Sequence, residues 1–110
     1  MVVVCAKTIQ GIGVDACGRC VHYHSDVDVV GNKCAECGMF WACYTCHELM
    51  ADHPFGRMPL DQPAVLCGVC GLVMDYVQYS AVAQCPRCQH AFNPGCSMHR
   101  HLYFMVEQNY

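Results

Sequence analysis

The chain has 110 residues, a formal net charge of −3 and twelve cysteines, with only six lysines and arginines. That length buries a modest core at best, so something besides apolar packing has to hold the fold. No apolar run approaches the roughly 20 residues of a membrane span, and Lys7, Arg19, Lys33, Arg57, Arg87 and Arg100 are scattered rather than gathered into the basic patch of a nucleic-acid footprint.

Residues 1–16 are rich in β-branched side chains, interrupted by Gly11 and Gly13, and predict a strand or extended entry segment. Asp26-Val-Asp-Val-Val30 alternates polar and apolar, the pattern of a half-buried strand, and Gly31-Asn32 then predicts a turn. Thr45 stands three residues before Glu48, the spacing of a capping box, so a short helix is expected from about Cys46 to Asp52. Pro54, Pro59 and Pro63 predict an irregular loop that separates two lobes, one at about 15–55 and the other at about 64–104 of a single domain, 1–110. Beyond it, Ala64–Leu66 and Leu72–Tyr79 read as strands, and the tail from Phe92 to Phe104 as a turn followed by a helical turn or short strand.

Ten of the cysteines fall in five Cys-x-x-Cys pairs: Cys17/Cys20, Cys34/Cys37, Cys43/Cys46, Cys67/Cys70 and Cys85/Cys88. Such density in a short chain reads either as a disulfide framework or as a metal scaffold. Metal is favoured. The N-terminus predicts no signal peptide, and histidines sit among the cysteines at ligand spacing, in Cys20-Val-His22 and Cys46-His47, where a disulfide protein has no use for them. Seven methionines also suit a reducing interior, and the expected location is cytoplasmic.

Two thiols three positions apart close on one ion through a tight turn, and Zn2+ takes four such ligands in a tetrahedron. Cys67, Cys70, Cys85 and Cys88, with fourteen residues between the pairs, have nearly the spacing of a zinc ribbon. Gly38 and Gly71, each just after the second cysteine of a pair, suit a turn that needs positive φ. The N-terminal half offers Cys20, His22, Cys34, Cys37, Cys43, Cys46, His47 and His53, eight ligands for two ions. Cys46 and His47 are neighbours at a helix start, where consecutive side chains diverge by roughly 100°, so they should serve different ions. The preferred division is Cys20, His22, Cys43 and Cys46 for one, and Cys34, Cys37, His47 and His53 for the other. The expected fold is therefore a small zinc-stabilised α+β domain, largely irregular, with an interleaved two-zinc N-terminal lobe and a zinc-ribbon-like C-terminal lobe. Three zinc ions with nine thiolates would take the net charge to about −6. Phe40, Trp41, Tyr44 and Tyr23 are expected to pack against the knuckles. Cys96 and His99 are either a buried thiol and a solvated imidazole or part of a fourth site.

Cys20-Val-His22-Tyr23, followed by Cys43-x-x-Cys46-His47 and then His53, resembles the CHY-type zinc finger family, and the tail from Phe92 to Phe104 is similar to its single-domain microbial members. The resemblance implies three zinc ions held at positions like these twelve. Relatives often carry adjacent cysteines ahead of the Cys-x-x-Cys-His block, whereas Cys34 and Cys37 are separated, which leaves Cys17 as the alternative to Cys34. Two contexts come with the resemblance: a mitochondrial helper in the assembly of small translocase chaperones, and the N-terminal part of ubiquitin ligases, whose RING domain this sequence lacks. No hydrolase triad, phosphate loop or paired-carboxylate cleft is present. The expected function is a non-catalytic zinc module acting through contacts with another protein, with no nucleic acid and no membrane as partner. The alternative is a thiol-redox or zinc-handling helper of cysteine-rich clients, resting on the surplus thiols Cys5, Cys17 and Cys96.

Overall fold

The computed structural model describes residues 2–4, 7–93 and 103–105. Cys5, Cys96, His99 and His101, and with them the fourth-site question, lie outside the described residues. Strands β1 (Val2–Val4), β2 (Lys7–Gln10), β3 (Val30–Lys33), β4 (Phe40–Trp41), β5 (Val65–Cys67) and β6 (Val73–Met74) form one sheet in the order β1-β2-β4-β3-β5-β6. Among these strands β2 and β4 pair in parallel and the others antiparallel. The helices are short: α1 (Tyr44–Met50) and α2 (Tyr76–Ser80). This is the small α+β architecture the sequence predicts, with an interleaved N-terminal lobe and a ribbon-like C-terminal one.

Three elements depart from expectation. The strand expected at Asp26–Val30 begins only at Val30 and runs through Gly31-Asn32, where a turn was expected. Asp28 is the reason: its carboxylate accepts from the Ser25 N–H at 3.0 Å and from the Ser25 hydroxyl at 2.7 Å, which closes a local turn before the ladder starts. Gly31 instead serves close packing, because a Cβ there would press 3.2 Å from Cγ1 of the fully buried Ile9. The helix begins at Tyr44 and not at Cys46, because the Cys43 thiol, and not Thr45, caps it by accepting the Cys46 N–H at 3.3 Å. Finally, the long strand expected over Leu72–Tyr79 stops at Met74. Asp75 accepts from Gln78 N at 2.8 Å while Gln78 Oε1 accepts from Asp75 N at 3.1 Å, a reciprocal cap that starts α2.

The two lobes share the sheet, since β3 pairs antiparallel with β5 in the register Val30–Cys67, Gly31–Leu66 and Asn32–Val65. Val29, Val65, Met74, Phe92 and Phe104 pack below the ribbon, while Trp41, Phe55 and the buried cysteines of the N-terminal half make a second cluster. Tyr103 packs against both, and its hydroxyl accepts the Tyr44 N–H at 2.8 Å. The proline loop is tied down in its first half: Gly56 O accepts from Ala35 N, and Met58 bridges to Phe104. Phe40 and Tyr44 are half-buried and Trp41 buried, as expected of knuckle packing, but Tyr23 is exposed. It sits in the loop ahead of β3 and lines a cavity together with Val27, Asn32 and Tyr103.

Candidate metal centres

Three Cys-x-x-Cys pairs adopt one backbone turn. In each, the N–H of the residue after the second cysteine donates to the carbonyl of the first at 2.8 Å: Gly38 to Cys34, Gly71 to Cys67 and Gln89 to Cys85. The turn needs positive φ at that residue, which is +71° at Gly38, +85° at Gly71 and +66° at Gln89. Cys43/Cys46 differs. There the chain continues into α1, and the residue after the second cysteine is the helical, buried His47. A helix at this pair is what aims the Cys46 sulfur and the following imidazole into different groups.

The donor atoms of the twelve residues fall into three groups, each with its four atoms within 4.8 Å of one another. Cys20, His22, Cys43 and Cys46 form the first. Cys20 and Cys43 sulfurs are 3.6 Å apart, and His22 Nδ1 lies 3.9, 3.5 and 3.4 Å from the sulfurs of Cys20, Cys43 and Cys46. The second joins Cys34, Cys37, His47 and His53, with 3.5 Å from Cys34 Sγ to His53 Nε2 and 3.2 Å between the two Nε2 atoms. The third joins Cys67, Cys70, Cys85 and Cys88, with cross-pair sulfur distances of 3.7 and 3.6 Å. This is the division preferred from the adjacency of Cys46 and His47, whose donors stand in different groups.

These spacings test what the groups fit. A tetrahedron with Zn–S near 2.3 Å and Zn–N near 2.05 Å has edges of about 3.8 Å between sulfurs, about 3.5 Å from sulfur to nitrogen and about 3.3 Å between nitrogens. The observed separations match all three edge types, and they are far from the roughly 2.05 Å of a disulfide. The donor sets, with nine thiols and three histidines, are those of zinc, and the three groups fit three zinc ions.

Electrostatics point the same way. Burial, followed by the neighbouring thiols, pushes the Cys43 and Cys67 thiols up, since several thiolates around one point are not tolerated without a cation. A divalent ion reverses that sign and deprotonates the ligands outright. Part of the groundwork is already laid by the backbone. Burial opposes ionisation at Cys34 and Cys85, but N–H donors outweigh it and bring both thiols to about 7. At Cys34 the donors are led by Gly56, whose N–H lies 3.2 Å from the sulfur. At Cys85 they are Cys88 and Arg87, both at 3.4 Å. In the first group Ile12 N–H donates to Cys46 Sγ at 3.3 Å.

Cys17 joins no group among the described residues. It is half-buried, its N–H donates to Asp15 Oδ1 at 2.9 Å, and its carbonyl packs where a Cβ on Gly68 would collide. The supporting donors Ile12 and Gly56 carry no signal in the sequence, because they act through main chain alone. Asp52, whose Oδ1 lies 3.0 Å from His53 Nδ1, is visible in the sequence as a carboxylate beside a candidate histidine.

The CHY zinc finger family matches this sequence over residues 20–100. Helper of Tim protein 13 of Kluyveromyces lactis is 41% identical over 102 residues, covering 90% of each chain. The protein of the same name in Saccharomyces cerevisiae is 39% identical over 103 residues, covering 87% of this chain and 89% of its own. An uncharacterized protein of Schizosaccharomyces pombe is 38% identical over 102 residues, covering 90% of each. No solved structure matches the chain. Matched by the family over most of its residues, and by these relatives over nearly all of both sequences, the chain belongs to the CHY zinc finger family.

Proposed function

We propose that the chain is a non-catalytic zinc module, a single domain with lobes at about 15–55 and 64–104, that acts by contact with another protein. Cys20, His22, Cys43 and Cys46 hold one ion, Cys34, Cys37, His47 and His53 a second, and Cys67, Cys70, Cys85 and Cys88 a third. The observation that carries this reading is the number of protein donors in each group, which is four. Four protein ligands close a tetrahedron and leave no position for water or substrate, so the metal folds the chain instead of activating a reactant. When bound, zinc supplies cross-links between segments far apart in sequence. Among the described residues no helix is long and apolar enough to cross a membrane.

The partner class follows from the relatives, which are named as helpers of Tim. A client of that kind, and the mitochondrial setting that comes with the family resemblance, competes with the cytoplasmic location expected from reduced thiols. Zinc analysis of the purified chain, joined to affinity capture from fractionated cells, tests the reading. Three ions and a client recovered without turnover of any substrate are expected; one ion per chain would overturn it.

The second reading, a zinc- or thiol-handling helper, is favoured by one feature. Cys17 is a half-buried thiol outside every donor group among the described residues. Fast zinc exchange with a chelating dye, or a Cys17 that cycles with glutathione, would select this reading over a purely structural module.

A further inference from the structure

The two histidines of the second donor group are supported in unlike ways. His47 is on α1, fully buried, and its Nδ1 has no hydrogen-bond partner among the described residues. Rings hold it in place: Trp41 at 4.9 Å and Phe55 at 5.0 Å, both meeting it edge-on. His53 follows the end of the helix, in a loop, with about a quarter of its side chain exposed. It touches His47 at 4.8 Å between ring centres, but its remaining hold is polar. Its Nδ1 lies 3.0 Å from Asp52 Oδ1. A carboxylate only accepts, so Nδ1 carries the proton and Nε2 keeps the lone pair. That Nε2 is the atom facing Cys34 Sγ and His47 Nε2.

We propose that Asp52 is a positioning residue for the second metal site: it locks the tautomer and ring orientation of His53, and thereby sets how tightly that one ion is held. The proposal rests on assigning this group to a metal. Outer carboxylates on ligand histidines are worth about 10- to 100-fold in metal affinity. Asp52 itself is fully exposed, so truncating it removes no packing.

The experiment uses the full chain loaded with zinc, and in parallel with cobalt. Chelator competition measures each ion's affinity in wild type, Asp52→Ala and Asp52→Glu, and two-dimensional NMR of the zinc-loaded chain follows the His53 Nδ1–H, its nitrogen shift and its exchange with solvent. Asp52→Ala is expected to weaken one of three ions by about 10- to 100-fold, to leave the other two unchanged, and to shift the His53 Nδ1 resonance and speed the exchange of its proton with solvent. Asp52→Glu is expected to recover part of the affinity. Three ions held by Asp52→Ala with wild-type affinity would overturn the proposal alone. A wild-type chain holding only two ions would overturn the metal assignment beneath it, and the proposal with it.

Discussion

His90, two residues beyond the last cysteine of the C-terminal ribbon, donates its Nε2–H to the main-chain carbonyl of Asp26 at 2.8 Å. That same carbonyl accepts from Arg19 Nη2 at 3.0 Å, and Arg19 also grips Ser25 O at 2.7 Å and Asp15 Oδ2 at 3.2 Å. The loop organised in this way carries Cys20 and His22. Two further bonds tie it to the ribbon, Asn93 Nδ2 to Asp28 Oδ1 at 2.7 Å and Gly68 N to Val29 O at 2.6 Å. The first donor group is thus braced from the far lobe.

Removing that brace should be felt across the lobes. His90→Ala deletes one hydrogen bond worth about 1 kcal/mol, which for a domain of this size lowers Tm by roughly 4–8 °C. Amide exchange in residues 17–28 should accelerate, and the ion held by Cys20 and His22 should exchange faster. If only the ribbon's own amides respond, the lobes are energetically separate.

The cross-bracing of the N-terminal sites is tested by Cys46→Ser and His47→Ala. Each removes a donor from a different group, yet both act on one helix. Since binding energy at a structural zinc site is largely folding energy, each variant should lose one ion and weaken the other. Cobalt spectra distinguish the losses, because one site has three sulfurs and the other two. A lost ion with its neighbour bound at wild-type affinity would rule out the coupling.

Backbone conformation gives a prediction free of packing. A Cβ on Gly38 would meet nothing within 4 Å, so Gly38→Ala isolates the cost of φ +71°, about 1 kcal/mol of destabilisation. Gln89, exposed and at φ +66°, sits at the equivalent place in its knuckle. Gln89→Gly should therefore stabilise the ribbon by about 0.5–1 kcal/mol. Thermal unfolding at saturating zinc is the measurement, and equal Tm values for all three chains would refute the strain at these turns.

Acid should act through the metal before it acts through carboxylates. Burial raises the Asp28 pKa, but the Ser25 and Asn93 hydrogen bonds outweigh it and hold the group below its usual 3.8. A depressed folded value means that Asp28 contributes stability above about 3.8 that is lost as pH falls further. Protons compete with zinc for thiolates at higher pH than this. Zinc release followed by dye absorbance during acid titration should precede loss of the Asp28 contribution, and Asp28→Asn should lower Tm at neutral pH.

The Cys-x-x-Cys spacing was legible in the sequence because a knuckle is a local object: four or five residues and one turn. Adjacency alone also separated Cys46 from His47, since a helix start cannot aim neighbouring side chains at one point. What the sequence left open depended on contacts distant along the chain. Cys34 is brought to His53 across nineteen positions, and Cys17 is left out because Asp15 and the close approach of Gly68 hold it against the ribbon. The element boundaries moved for a related reason. Side chains at Asp28, Cys43 and Asp75 bonded to nearby main chain and ended or began elements where hydrophobic pattern predicted otherwise. The pairing of β3 with β5, which makes one sheet of two lobes, has no local signature at all; only the folded chain brings Val30 against Cys67.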